Sequence, residues 1–194
     1  MGFLANALHP DRKRQENWRQ FSGEVEGIFV PECESGGDEV HINFMGHLII
    51  VSSRTEGRAR RTTLTANHSN EDFQFKVFGW GGRKVPEVDR DPYLNSEFPD
   101  LAPRAKVEFD NVKKLTDLLS SADLRRFILG VPVSFTLEAK PGLLCFDNRA
   151  YDSTDNGMIK DVDHLHAALN VMKCALLKME MIGPASTKTL LLAA

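Results

Sequence analysis

The residues best placed to do chemistry in this 194-residue chain stand together at Asp161, Asp163, His164 and His166. Carboxylates beside imidazoles can pass a proton, activate a water or hold a metal ion. His164-x-His166 is a metal-binding spacing on a strand, where alternate side chains share a face. The surrounding period is helical, however. Apolar residues fall at Val162, Leu165, Leu169, Met172, Leu176 and Met179, in steps of three and four. Residues two apart on a helix diverge by about 200°, which disfavours a shared ion. Asp161 occupies an N-cap position and Asp163 the first turn, where carboxylates complement exposed N–H groups and the helix dipole. Capping and surface charge is the simpler reading. A hydrolase-type cleft near Asp161, Asp163 and His164 is the enzymatic alternative.

No other constellation assembles a catalytic or metal site. His9, His41, His47 and His68 are lone histidines that nothing in the pattern pairs with a catalytic nucleophile. Ser52-Ser53 and Ser120-Ser121 lack the glycine-flanked elbow that exposes a catalytic serine. Cys33, Cys145 and Cys174 are odd in number and form no Cys-x-x-Cys. That usage fits reduced thiols in a cytoplasmic protein and supplies no zinc set. Catalytic residues are left unassigned, and neither a cofactor nor a metal is expected.

Two segments suggest binding. Gly79-Trp80-Gly81-Gly82-Arg83-Lys84 follows a strand-like run, but it lacks the phosphate-loop spacing and a helix to receive an anion. A turn with Trp80 lying on a sheet is expected. Arg54, Arg58, Arg60 and Arg61 make a basic hairpin that could meet RNA or an acidic partner. It has no interleaved aromatic platform for stacking bases, so a solvated edge strand guarded by charge is the plainer alternative. With Tyr93, the residues Trp80, Arg83, Lys84, Arg58 and Arg60 define the candidate binding surface. Exposed Trp and Tyr dominate interface energies.

The elements that must position these residues follow from period and punctuation. Asp11–Phe21 reads as a short helix anchored by Trp18 and Phe21. Strands are expected over Glu24–Val30, over Val40–Val51 with a break at Gly46, and over Arg58–Ala66 after a turn at Thr55-Glu56-Gly57. Another alternates at Phe73, Phe75 and Val77. Residues 79–106, with prolines at 86, 92, 99 and 103, show neither period and read as an irregular loop. A short apolar piece, Val107-Glu108-Phe109, precedes two helices, the second starting at Ser120-Ser121-Ala122-Asp123. A hairpin turning at Lys140-Pro141-Gly142 follows. The last helix ends at Gly183-Pro184, and residues 183–194 are expected to be a flexible tail.

Strands succeeding one another without intervening helices favour an α+β fold. The expected form is a mainly antiparallel sheet with helices packed on one face and a closing C-terminal amphipathic helix. Length fits a single domain over residues 1–194. A net charge of −3 argues against a dedicated nucleic-acid binder. No apolar run reaches the ~20 residues of a membrane span.

Several pieces, in order, resemble an uncharacterised bacterial family defined only as a domain of unknown function. They are Trp18-x-x-Phe21, Glu24-x-x-Gly27-x-Phe29-Val30, Asp72-Phe73-x-Phe75 and Asp91-Pro92. Then come Val112-x-x-Leu115 with Leu118-Leu119-Ser120, Arg125-Arg126-Phe127-Ile128, and Ile159-Lys160-Asp161-Val162-Asp163-x-Leu165. The resemblance implies a compact α+β domain and brings no assigned catalytic residues. The leading expectation is a non-catalytic interaction or ligand-binding module, with a protein or small-molecule partner. The stripe of the last helix could serve its own sheet or a homodimer seam.

Overall fold

The structure, a computed structural model, describes residues 10–31, 37–56, 59–148, 159 and 161–182, without the side chains of 10–12 and 54–60. Expectations for Gly57, Arg58, Gly183-Pro184 and the 183–194 tail lie outside the described residues, as do Cys33 and His9. Among the described residues, eight strands and five α-helices follow one another. Helix α1 (Pro10–Glu24) leads into β1 (Ile28–Val30), β2 (Glu39–Phe44), β3 (His47–Glu56), β4 (Ala59–Asn67) and β5 (Phe75–Trp80). Then come α2 (Pro92–Glu97), β6 (Ala105–Phe109), α3 (Val112–Leu119), α4 (Ala122–Gly130), β7 (Ser134–Lys140), β8 (Leu143–Asn148) and α5 (Val162–Ile182).

The strands form one antiparallel sheet in the order β1-β2-β3-β4-β8-β7-β5-β6. The β2–β3 hairpin closes on Met45 and Gly46, both at positive φ (50° and 86°). That two-residue turn matches the twist of the flanking strands. The β7–β8 hairpin turns on Pro141 and Gly142, with Gly142 at φ 71°. It inserts between β4 and β5, so strands adjacent in sequence are separated in space.

This corrects the edge-strand reading of the arginine-rich segment. β4 is an interior strand, paired to β3 on one side and β8 on the other. Its polarity reflects a sheet face rather than an edge. Leu64 and Ala66 point into the core, while Arg61, Thr63 and Thr65 are part exposed on the opposite face. Thr62 is buried, and its Oγ1 accepts the Ile159 N–H at 2.8 Å. The Ile159 carbonyl accepts the Trp18 indole N–H at 3.3 Å. One residue ahead of the last helix is thereby tied to both the sheet and α1.

The helices cover one face. α1 packs on β1 and β2, and α5 packs on β4 and β8. The stripe of α5 is wider than its period alone indicates. Leu165, Leu169, Met172, Leu176 and Met179 are buried, and so are Ala168, Val171 and Ala175. The reason is that α5 lies between the sheet and three helices, α1, α3 and α4. A helix contacted on several sides needs more than one narrow apolar seam. Its stripe serves the chain's own core, leaving Leu177 and Met181 exposed.

Residues 79–106 are more ordered than an irregular loop. Residues 79, 80, 105 and 106 belong to β5 and β6, and between them lie a 3-10 turn (Glu87–Asp89) and α2. Asp91 caps α2: its Oδ1 accepts the N–H groups of Tyr93 at 2.9 Å and Leu94 at 3.2 Å. Pro92 takes the first helical position, where a missing N–H costs nothing. Val85, Leu94, Phe98, Leu101 and Ala102 are buried, so this excursion closes the core beneath the β6 edge.

Candidate functional site

Strand alternation divides β5 between two environments. Phe75, Val77 and Gly79 face the core, while Lys76, Phe78 and Trp80 are part exposed on the helix-free face. Cross-strand register then builds a pocket around Trp80. Phe78 stands opposite Lys106 on β6, and Trp80 opposite Ser134 on β7. Phe78, Gly79, Trp80, Arg83, Lys106 and Ser134 line a space of about 380 Å³. That is within the size range of small-ligand sites.

Two of the glycines that suggested a phosphate loop, Gly79 and Gly81, serve packing. A side chain at Gly79 would enter the ring of Phe135, which stacks on Phe146 with centroids 4.8 Å apart. Gly81 takes φ +60°, and a Cβ there would lie 2.7 Å from the Val133 carbonyl carbon. They hold the end of β5 close to β7, and Trp80 is displayed on the other side. The chain after Arg83 turns through Val85, whose N–H donates to the Pro103 carbonyl at 2.8 Å. The α-helix that follows, α2, already has its first N–H groups taken by Asp91 Oδ1.

The pocket pairs aromatic walls with cations. Lys106 Nζ lies 6.0 Å from the centre of the Trp80 ring. Further along this face, Glu138 holds Lys76 and Lys140, each at 3.1 Å. Burial alone would raise the Glu138 pKa, but hydrogen bonds and charge from Lys140 and Lys76 leave it lowered. Glu138 is therefore already neutralised. Among the described residues no carboxylate forms an ion pair with Lys106.

Not every residue of the expected surface arrives here. Trp80 and Arg83 line the pocket, and Lys84 is exposed just after them. Tyr93 lies on the helix side of the sheet. Its ring packs on Phe98 and Phe109, and its hydroxyl lies 2.8 Å from Thr116 Oγ1 on α3. Arg58 and the Arg60 side chain lie outside the described residues. Arg61 is placed by register: Ser134 and Arg61 each stand two residues beyond the row Thr136–Asp147–Thr63. Arg61 therefore shares a cross-strand row with Trp80, three strands away, or about 14 Å at ~4.8 Å per strand. Its guanidinium reaches Asp147 at 3.7 Å. Phe78, Lys106 and Ser134 escaped the sequence reading because the strands that carry them meet only in the sheet. The alternation of Lys106 between buried Ala105 and Val107 was the available signal.

The acid–imidazole cluster is dispersed. Asp161 Oδ1 accepts the Asp163 N–H at 2.9 Å, an N-terminal cap. His164 is half-buried along the helix. His166 leaves the cluster and meets α1, its Nε2 lying 2.7 Å from Glu24 Oε2 and its ring edge-on to Phe21. Glu24 has its pKa lowered by a hydrogen bond from Gln20 and then by His166. Asp163 and His166 do line a shallow groove of about 440 Å³ between α4 and α5, with Arg126, Phe127, Gly130, Ala167 and Asn170. No serine, threonine or cysteine is among those residues. No group of three or more His, Cys, Asp or Glu among the described residues could hold a metal ion.

Two other histidines make structural contacts, one within a strand and one between elements. His41 Nε2 lies 2.8 Å from Glu39 Oε2 on the same strand. His47 Nδ1 sits 2.9 Å from the Asn67 carbonyl, and its other nitrogen 3.8 Å from Glu180.

The arrangement defines an α+β protein with one sheet face under helices and an apolar, cation-bearing pocket on the other. No protein-family model matches the chain, and a search of curated proteins also finds no match. Among solved structures, the crystal structure of the mycobacterial trehalose monomycolate transport factor A, TtfA, has a similar fold. The TM-score is 0.52, at 10% identity, covering 89% of this chain and 97% of that one. The likeness concerns the fold. No helix among the described residues is long and apolar enough to cross a membrane.

Proposed function

We propose that the chain is a non-catalytic binding module whose site is the pocket formed by Phe78, Trp80, Arg83, Lys106 and Ser134. One observation carries this reading. Aromatic walls and a cation without a carboxylate partner among the described residues converge on a partly open space of ligand size. Asp161 is meanwhile engaged in capping and His166 in a contact with α1. TtfA is described as a transport factor, and a carrier or adaptor role would suit a site of this kind. A shared fold does not by itself transfer function, so the pocket bears the argument.

Ser134→Trp tests the site. Ser134 is half-buried at the pocket wall, and an indole there would fill the space while leaving the core face untouched. A panel of small apolar and amphiphilic compounds, screened by the emission of Trp80, should contain binders to the wild-type protein. Those binders should be lost in S134W at unchanged circular dichroism. Binding that persists in S134W places the site elsewhere and overturns the reading.

A further inference from the structure

We propose that the Trp80 pocket selects an amphiphilic carboxylate, a ligand with one anionic head and an apolar body of about ten carbons. The proposal rests on the pocket being the binding site and adds the chemistry of its ligand. Three observations converge. The pocket volume of about 380 Å³ equals roughly a dozen liquid-water volumes of ~30 Å³. It is large enough for a ten-carbon acid and too small for a folded peptide. Its walls are the faces of Phe78 and Trp80, which reward apolar contact rather than a dense set of hydrogen bonds. Its charged groups, Lys106 and Arg83, are both cationic, with no acidic residue in the lining.

Placement of charge gives the ligand an orientation. Lys106 stands beside Trp80, so a carboxylate at its ammonium keeps the body over the indole. The Ser134 hydroxyl lies across from Trp80 in register and offers a neutral hydrogen bond. Further along the face, Lys76 and Lys140 are held by Glu138, and Glu108 stands opposite Lys76 in register, so charge there is balanced and the Lys106 end is the cationic end. A neutral apolar compound would give the Lys106 ammonium no counter-charge. A cationic amphiphile would meet like charge. An ionised hydrogen bond is the stronger kind, so losing the Lys106 charge should weaken a carboxylate more than a neutral head.

The test uses the full-length protein with decanoate, 1-decanol and decyltrimethylammonium as probes, read by tryptophan emission. Trp80→Phe serves as the control that assigns the signal to Trp80. Decanoate should bind saturably and at least about tenfold more tightly than 1-decanol. Lys106→Met keeps the aliphatic stem and removes the charge. It should abolish that preference, weakening decanoate far more than 1-decanol. Arg83→Gln, on an exposed residue, provides a second charge removal and should weaken decanoate to a smaller extent.

Equal binding of decanoate and 1-decanol, with no effect of K106M, overturns the carboxylate proposal and leaves the pocket reading standing. Tighter binding of the ammonium probe does the same. If no probe alters the Trp80 signal, the pocket reading and the ligand class fall together.

Discussion

The ring of Phe135 occupies the space that a side chain at Gly79 would need. Phe135 in turn stacks on Phe146, and both are fully buried. This contact fixes how closely β5 approaches β7, and hence where Trp80 emerges on the opposite face.

Gly79→Ala should therefore destabilise the fold by about 1–3 kcal/mol, the usual cost of overpacking a filled core. For a chain of this size each kcal/mol lowers the thermal midpoint by ~2–4 °C. Gly82→Ala, where a Cβ would meet nothing within 4 Å, should leave the midpoint almost unchanged. Equal effects at the two positions would show that Phe135 does not set the spacing.

Acid should weaken the protein through His68. The ring is buried, and Nδ1 accepts the Asn70 N–H at 3.1 Å, which requires that nitrogen unprotonated. Burial lowers its pKa below the ordinary 6.5, against the opposing pull of the Leu143 and Lys140 carbonyls and of Glu180. The unfolded chain thus binds the proton more readily than the native one. Stability from this group is fully present above about pH 6.5 and is lost as pH falls through the lowered native value. Denaturant midpoints should decline from pH 7.5 to pH 5, and the decline should be shallower in His68→Asn, whose carbonyl can accept the same N–H. An identical slope in both proteins would exclude His68 as the source.

Thr62→Val should cost about 1–3 kcal/mol despite conserving shape, because it strands the buried Ile159 N–H without an acceptor. Thr65→Val changes a part-exposed residue on the other face of the same strand and should cost little. The difference between the two unfolding free energies measures the Ile159 tie.

Asp161→Ala should reduce stability by about 1 kcal/mol through the lost cap. Any ligand binding measured through Trp80 should stay at its wild-type strength. A large loss of binding in a folded D161A protein would move the functional site to the start of α5.

Acrylamide should quench one of the two tryptophans. Trp18 is fully buried beneath the helices, while Trp80 is part exposed. Trp80→Phe should leave a blue-shifted emission that resists quenching, and equal quenching in both proteins would contradict this placement.

Much of this was legible in the chain itself. The helical steps from Val162 to Met179, the anchoring pair Trp18 and Phe21, and the break at Gly46 follow from local periodicity and from a turn only certain backbones can make. The cap at Ser121, which accepts the Leu124 N–H at 3.3 Å, is equally local. Such features depend on residues a few positions apart, where backbone geometry alone dictates which side chains share a face. Asp91-Pro92 carried the same kind of signal for α2, obscured by the prolines around it.

The pocket was not legible. Its residues come from three strands and a turn, and nothing in local spacing places Ser134 opposite Trp80 or Lys106 opposite Phe78. Strand order is a long-range choice, settled by which arrangement buries the most apolar surface under α5 and leaves fewest backbone groups unpaired. That choice inserted the β7–β8 hairpin between β4 and β5, sent Tyr93 to the helix side and left Trp80 facing out. The sequence determined the elements and their buried faces, because those depend on neighbours along the chain. Tertiary structure decided which faces meet, because pairing across a sheet is set by packing over the whole molecule.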